Sequence, residues 1–131
     1  GEPGWGERAA EVIRAFAGRA GALGLHAAAY LVAMDWYLHP ATHLVVVGEP
    51  DDPEADRMHR AALAVFVPRR VVQRLTPGAS VQRQLPPALA GMLRSGAAPR
   101  GYACTGAACR MPAASLVEWQ AVLRETGGGG D

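Results

Sequence analysis

LVVVGEPDDPEADRMHRAALAVFVPRRVVQRL, Leu44 to Leu75, decides the fold. Leu44-Val45-Val46-Val47 is an unbroken apolar run rich in β-branched residues, the mark of a strand covered on both faces. Gly48 ends it. Asp51-Asp52-Pro53-Glu54 reads as a helix start, with Asp52 as N-cap and Pro53 in the first helical position. Met58, Ala62, Val65 and Phe66 recur at helical spacing as an inner stripe, and Pro68 stops the helix. Val71 to Leu75 is a second strand. A strand, a helix and a strand within so few residues make a right-handed crossover with parallel strands.

Downstream, Thr76 to Gln84 is a polar connection and Pro86-Pro87 opens a short helix over Ala88 to Leu93. Ser95 to Arg100 reads as loop. YACTGAACR, Tyr102 to Arg110, reads as a hairpin whose two-residue turn is Gly106-Ala107, since glycine in first place suits a type II′ turn. Ser115-Leu-Val-Glu118 is a capping box, opening a helix that presents Leu116, Trp119, Gln120 and Leu123 on one face, with Gly127 as its stop. The order from His43 onward is β-α-β-α-β-β-α. The expected class is α/β, two N-terminal helices followed by a small thioredoxin- or glutaredoxin-like sheet, with a Rossmann-like three-layer fragment as the alternative. A thioredoxin layout places a cis-proline just before its third strand, which makes Pro99 the candidate by position.

Cys104 and Cys109 are the only cysteines. Counted outward from the turn they form a non-hydrogen-bonded pair, with Cα atoms about 4.5 Å apart. The favoured reading is two reduced, small side chains packed on one face of the sheet. The alternative is a reversible disulfide, a candidate redox pair with only Arg110 nearby in sequence to lower a thiol pKa. A metal site lacks a second cysteine pair. The turn after the first strand, Gly48 to Asp52, is where a thioredoxin carries its reactive sulfur, and it holds none. No catalytic residue, metal or cofactor is therefore assigned.

Upstream, Val12, Ile13, Phe16 and Ala20 give a helix over Glu7 to Arg19, broken at Gly21 to Gly24. A second helix, Leu25 to Leu38, is apolar nearly all round, and a small domain can scarcely cover such a helix. The expected organisation is a helical hairpin over 1–40, an α/β domain over 41–126 and a flexible tail over 127–131. Partners are expected at the apolar second helix: the remainder of a parent chain, or a second copy. Asp35 on that helix is costly unless paired. With Trp36 and Tyr37 it forms the candidate cavity lining, against the plainer readings of a helix-interface hydrogen bond for Asp35 and core packing for the aromatics.

Composition narrows the functions further. The net charge is +1 over 131 residues, and Arg69-Arg70 is the only basic doublet, so no nucleic-acid partner is expected. All thirteen basic residues are arginine, which excludes Schiff-base and P-loop lysine chemistry. VVVGEPDDPE has one glycine, not three, and its carboxylates would repel a phosphate; capping is the favoured reading over an acidic cation site. Of His26, His39, His43 and His59, none shares helical i, i+4 spacing with another, since His39 and His43 straddle Pro40 in a loop, and a zinc site is unsupported. The longest apolar run, Ala27 to Met34, falls short of the ~20 residues a membrane helix needs. The chain opens Gly-Glu-Pro without a charged-then-apolar leader, so the expectation is a cytoplasmic protein with no membrane partner.

LVAMDWYLHPATHLVVVGEPDDPEADRMHRAALAVFVPRRVV, together with GYACTGAACRMP and SLVEWQAVL, resembles the C-terminal region of the YyaL-type thioredoxin-domain proteins, those similar to spermatogenesis-associated protein 20. The likeness runs from about Trp5 to Leu123. It implies a long parent, with an N-terminal thioredoxin-like domain and an α/α toroid akin to N-acylglucosamine 2-epimerases. This chain would be the accessory end of that parent, without the Cys-x-x-Cys domain and without a carried-over catalytic residue. The two rivals are a thiol–disulfide module on Cys104 and Cys109, and a contribution to a carbohydrate site through Asp35, Trp36 or Tyr37.

Overall fold

The computed structural model describes residues 4–77, 91–92 and 99–128. The chain divides into two compact units, Gly1–Pro40 and Ala41–Asp131.

The first unit is helical: α1 Trp5–Ala17, a short α2 Ala20–Leu23, a 3₁₀ turn Gly24–Ala27, and α3 Ala28–Leu38. The Gly21 to Gly24 stretch expected as a break is thus mostly a helical turn, and the second long helix begins at Ala28. Gly24, with φ at 53°, redirects the chain between the short pieces. α1 and α3 pack together, and the Tyr30 hydroxyl donates to the Ile13 carbonyl at 2.8 Å.

The second unit is an α/β sheet domain. Its strands are β1 Thr42–Val47, β2 Arg70–Leu75, β3 Arg100–Thr105 and β4 Ala108–Cys109; its helices are α4 Pro53–Ala64 and α5 Leu116–Gly127. The sheet order is β2-β1-β3-β4, with β2 parallel to β1 and β3 antiparallel to both β1 and β4. The antiparallel β3 beside the central β1 departs from the Rossmann-like alternative, in which the neighbours of the first strand run parallel to it. β1 lies in the middle, and that position accounts for its unbroken apolar sequence. Leu44 and Val46 face α4 and α5, packing with Met58, Ala62, Ala103, Trp119 and Leu123. Val45 and Val47 face the other way, with Tyr102, Cys104, Leu75 and Met92. The helix expected over Ala88 to Leu93 is described only at Gly91 and Met92, and most of the Thr76 to Gln84 connection lies outside the described residues.

Trp119, fully buried, is the centre of the helix-side core, and its indole N–H donates to the Met58 carbonyl at 2.9 Å. It lies against Gly101: a Cβ there would stand 2.6 Å from two of its ring carbons. Asp52 caps α4 as expected, its Oδ1 accepting the Glu54 and Ala55 N–H groups at 2.8 and 3.3 Å. The expected inner stripe of α4 fails at its end. The helix stops at Ala64, and Val65 turns extended. The Arg70 guanidinium takes up the Ala62 and Val65 carbonyls there, so Phe66 falls past the last turn and is 83% exposed, while Val67 goes inside.

Ser115 caps α5 by accepting the Glu118 N–H at 3.3 Å, but the reciprocal half of the box is shifted. Glu118 reaches the Ala114 N–H at 2.7 Å, and the Leu116 N–H is taken by Glu54 of α4 at 2.9 Å. Gln120 points to water and not into the shared face. Gly127 is the last residue of α5 and Gly128 its cap, so the chain stays helical past the expected start of the tail.

Candidate functional site

The cysteine hairpin is the first candidate. Its turn is Gly106-Ala107, with Gly106 at φ 59° and no positive φ at Ala107, as a type II′ turn requires. Thr105 pairs with Ala108 and Cys104 with Cys109. The Arg110 N–H donates to the Ala103 carbonyl at 3.0 Å, which continues the ladder one step further and leaves the cysteines as the non-hydrogen-bonded pair. The favoured expectation of two reduced thiols does not hold: Cys104 and Cys109 are joined by a disulfide, with Cα atoms 4.0 Å apart. The closeness of side chains in this type of pair brings the two sulfurs within bonding reach. The two halves differ in access, Cys104 being 6% exposed and Cys109 open to solvent.

A third side chain joins them. The β1–β3 register sets His43 directly opposite Cys104. Directly opposed residues share a face of the sheet, with Cβ atoms about 5 Å apart. His43, Cys104 and Cys109 therefore form one row across β1, β3 and β4, with the outer two exposed and the middle one buried. His43 stands far from the cysteines in sequence, and its only signal was its place one residue before the valine run. Arg110, the expected neighbour, belongs to the opposite face and pairs with Glu125 of α5.

The turn that begins α4 has a structural role. Arg74 donates to the Glu49 and Pro50 carbonyls at 2.8 and 3.1 Å and also binds Asp56. That hydrogen bond holds the Asp56 carboxyl below its ordinary range, with help from Arg60. Glu54 is lowered too, first by the hydrogen bond from Arg57 and then by the Leu116 N–H. The carboxylates thus serve helix capping and arginine pairing, and no group of three metal-ligating side chains occurs among the described residues. Pro99 directly precedes β3, beside Gly48: a Cβ placed on Gly48 would lie 3.7 Å from the Pro99 Cβ. It therefore stands by the first turn of α4.

The helical unit holds a second candidate, an open groove of about 550 Å³ lined by Trp5, Val12, Ile13, Trp36 and Tyr37, with Arg8 above Trp5. Of the three residues expected to line a cavity, Trp36 and Tyr37 border this open groove. Asp35 is not among the lining residues; it is half-exposed and bonds His39 at 3.0 Å, one helical turn on. The plainer expectation that the aromatics are core also fails, since Trp36 and Tyr37 are both exposed and no residue of α3 is buried. None of the described helices is long and apolar enough to cross a membrane.

Compared with known proteins, the chain matches no family model, no curated protein and no solved structure.

Proposed function

We propose that this chain is an accessory docking module, a small α/β body whose helical unit is one piece of a larger array of α-helices, as the end of an α/α toroid would be. The carrying observation is that α3 is apolar around most of its circumference and that none of its residues is fully buried. At about 100° per residue, Leu31, Val32, Trp36 and Tyr37 point in directions spread around the whole helix, and all are exposed. Leu25, just upstream, is 94% exposed. Ten large apolar side chains between Trp5 and Leu38 are exposed, a concentration that marks a surface built to be covered. A dyad-related copy covers one side of such a helix. Neighbouring helices cover several, which favours further apolar helices as the occupant.

The sheet of this module is read as thioredoxin-like. What supports that reading is the order β2-β1-β3-β4 with β3 antiparallel to the rest, and a proline just ahead of β3.

The test is dye binding and mass in solution. The chain should bind an environment-sensitive apolar dye, and Leu31→Ser with Trp36→Ser should abolish most of that signal while far-UV circular dichroism and the urea midpoint stay near their original values. A monomer that binds no dye would overturn the proposal. A concentration-independent dimer that binds none would assign the surface to a second copy instead.

A further inference from the structure

We propose that Cys104, Cys109 and His43 form a thiol–disulfide exchange centre for low-molecular-weight thiols, built on the hairpin and separate from the turn where a thioredoxin-like domain carries its sulfur. The inference rests on the row across three strands. Cys109 is exposed and presents the sulfur that an incoming thiolate can reach. Cys104 is buried between its two row neighbours, so its sulfur is the one that leaves. His43 stands opposite Cys104 at cross-strand distance and is open to water. Imidazole is the side chain that exchanges protons near neutral pH, and it lies where the departing thiolate needs one.

The exchange balances as follows. A thiolate of the reductant attacks the Cys109 sulfur; a new S–S bond forms to Cys109, the Cys104–Cys109 bond breaks, and its electron pair goes to the Cys104 sulfur. Imidazolium at His43 gives that sulfur a proton. A second thiolate attacks the reductant's own sulfur in the mixed disulfide and releases Cys109, which takes a proton from water. Two thiols have become one disulfide, and the protein has gained two electrons and two protons. In reverse, neutral His43 removes the Cys104 proton and the resulting thiolate resolves a mixed disulfide held on Cys109. A short closed loop adds little chain-entropy stabilisation to the disulfide. An accessible bond of this kind belongs to the class that small thiols reduce.

Among the described residues on this face, the titratable group around His43 is Tyr102 on the diagonal, whose hydroxyl donates to the Met92 carbonyl at 3.2 Å, joined by Cys104 directly opposite once the disulfide is reduced. β2 contributes Val71 and, diagonally, Gln73, which do not titrate; the charged Arg69, on the other diagonal, directly precedes the strand with φ at 52°.

The experiment uses the whole chain and two glutathione forms. Under reduced glutathione, the two-proton mass gain is followed over time for the original chain and for His43→Gln, from pH 6 to 8. The expected result is a rate about 10²-fold lower for His43→Gln, with a flatter pH profile. Under oxidised glutathione, Cys104→Ser should collect the adduct on Cys109 at least tenfold faster than Cys109→Ser collects it on Cys104. Equal rates with and without the imidazole, adducts forming alike on both sulfurs, or two free thiols in the untreated chain would each overturn the proposal. None of these readouts involves the helical groove, so the docking proposal stands or falls separately.

Discussion

Replacing Gly101 by alanine tests the centre of the sheet domain. The added Cβ would lie 2.6 Å from Trp119 Cδ2 and Cε3 and 3.0 Å from Met58 Cε. Ordinary carbon contacts begin near 3.5 Å, so the indole must retreat by close to an ångström. It has no free direction, because Trp119 is fully buried and held at its other end by the 2.9 Å bond to the Met58 carbonyl. Overpacking of this kind costs about 1–3 kcal/mol. Lengthening the indole bond adds about 1 kcal/mol. The expected loss is therefore about 2–4 kcal/mol, which for a unit of this size lowers the thermal midpoint by about 10 °C or more. Urea and thermal unfolding followed by circular dichroism measure it. The decisive control is Trp119→Leu, which removes the colliding ring. Alanine at 101 should cost much less in that background, giving a coupling above 1 kcal/mol in the double-mutant cycle. A midpoint that hardly moves, or the same cost in both backgrounds, would refute the packing argument.

The α4 cap gives a smaller effect. Asp52→Ala should lose about 1 kcal/mol, and Asp52→Asn should keep most of it, both read as urea midpoints. Acid should weaken the fold through Glu54 and Asp56. Their carboxyls are held below their unfolded values, so the stabilisation is complete above the ordinary carboxylate range and is lost as pH falls through the lowered folded values. Glu54→Gln should flatten the acid side of a stability–pH curve; an unchanged acid side would show that the Arg57 and Leu116 contacts carry no linkage.

The centre of the fold was legible in the sequence because local and tertiary demands agree there. Leu44 to Val47 is short, rich in β-branched residues and closed by Gly48, which marks a strand wet on neither face, and β1 is central. Asp52-Pro53 sets a helix start by chemistry confined to adjacent residues, and Gly106 sets the turn in the same way. The misreadings involve side-chain partners that helical or strand spacing does not reveal. Phe66 continued the helical spacing, but Arg70 closes the helix before it. Glu54 was legible only as part of a helix start, and it also holds the first N–H of α5. His43 became a site residue only through register, since nothing local distinguishes it from any exposed strand histidine. The exposed apolar helix was legible as an anomaly, because apolar periodicity reports the need for cover and not what supplies it.

The clasp between Glu54 and the Leu116 amide, with Trp119 one turn beyond it, bears on how the domain is made. During synthesis the crossover and the hairpin leave the ribosome before residues 116–127. Until that segment emerges, the helix-facing side of the sheet lacks its largest filler, and Gly101 presents bare backbone where the indole will lie. A nascent chain stalled short of Leu116 is an incomplete core with an open apolar wall, a form that chaperones hold and proteases cut.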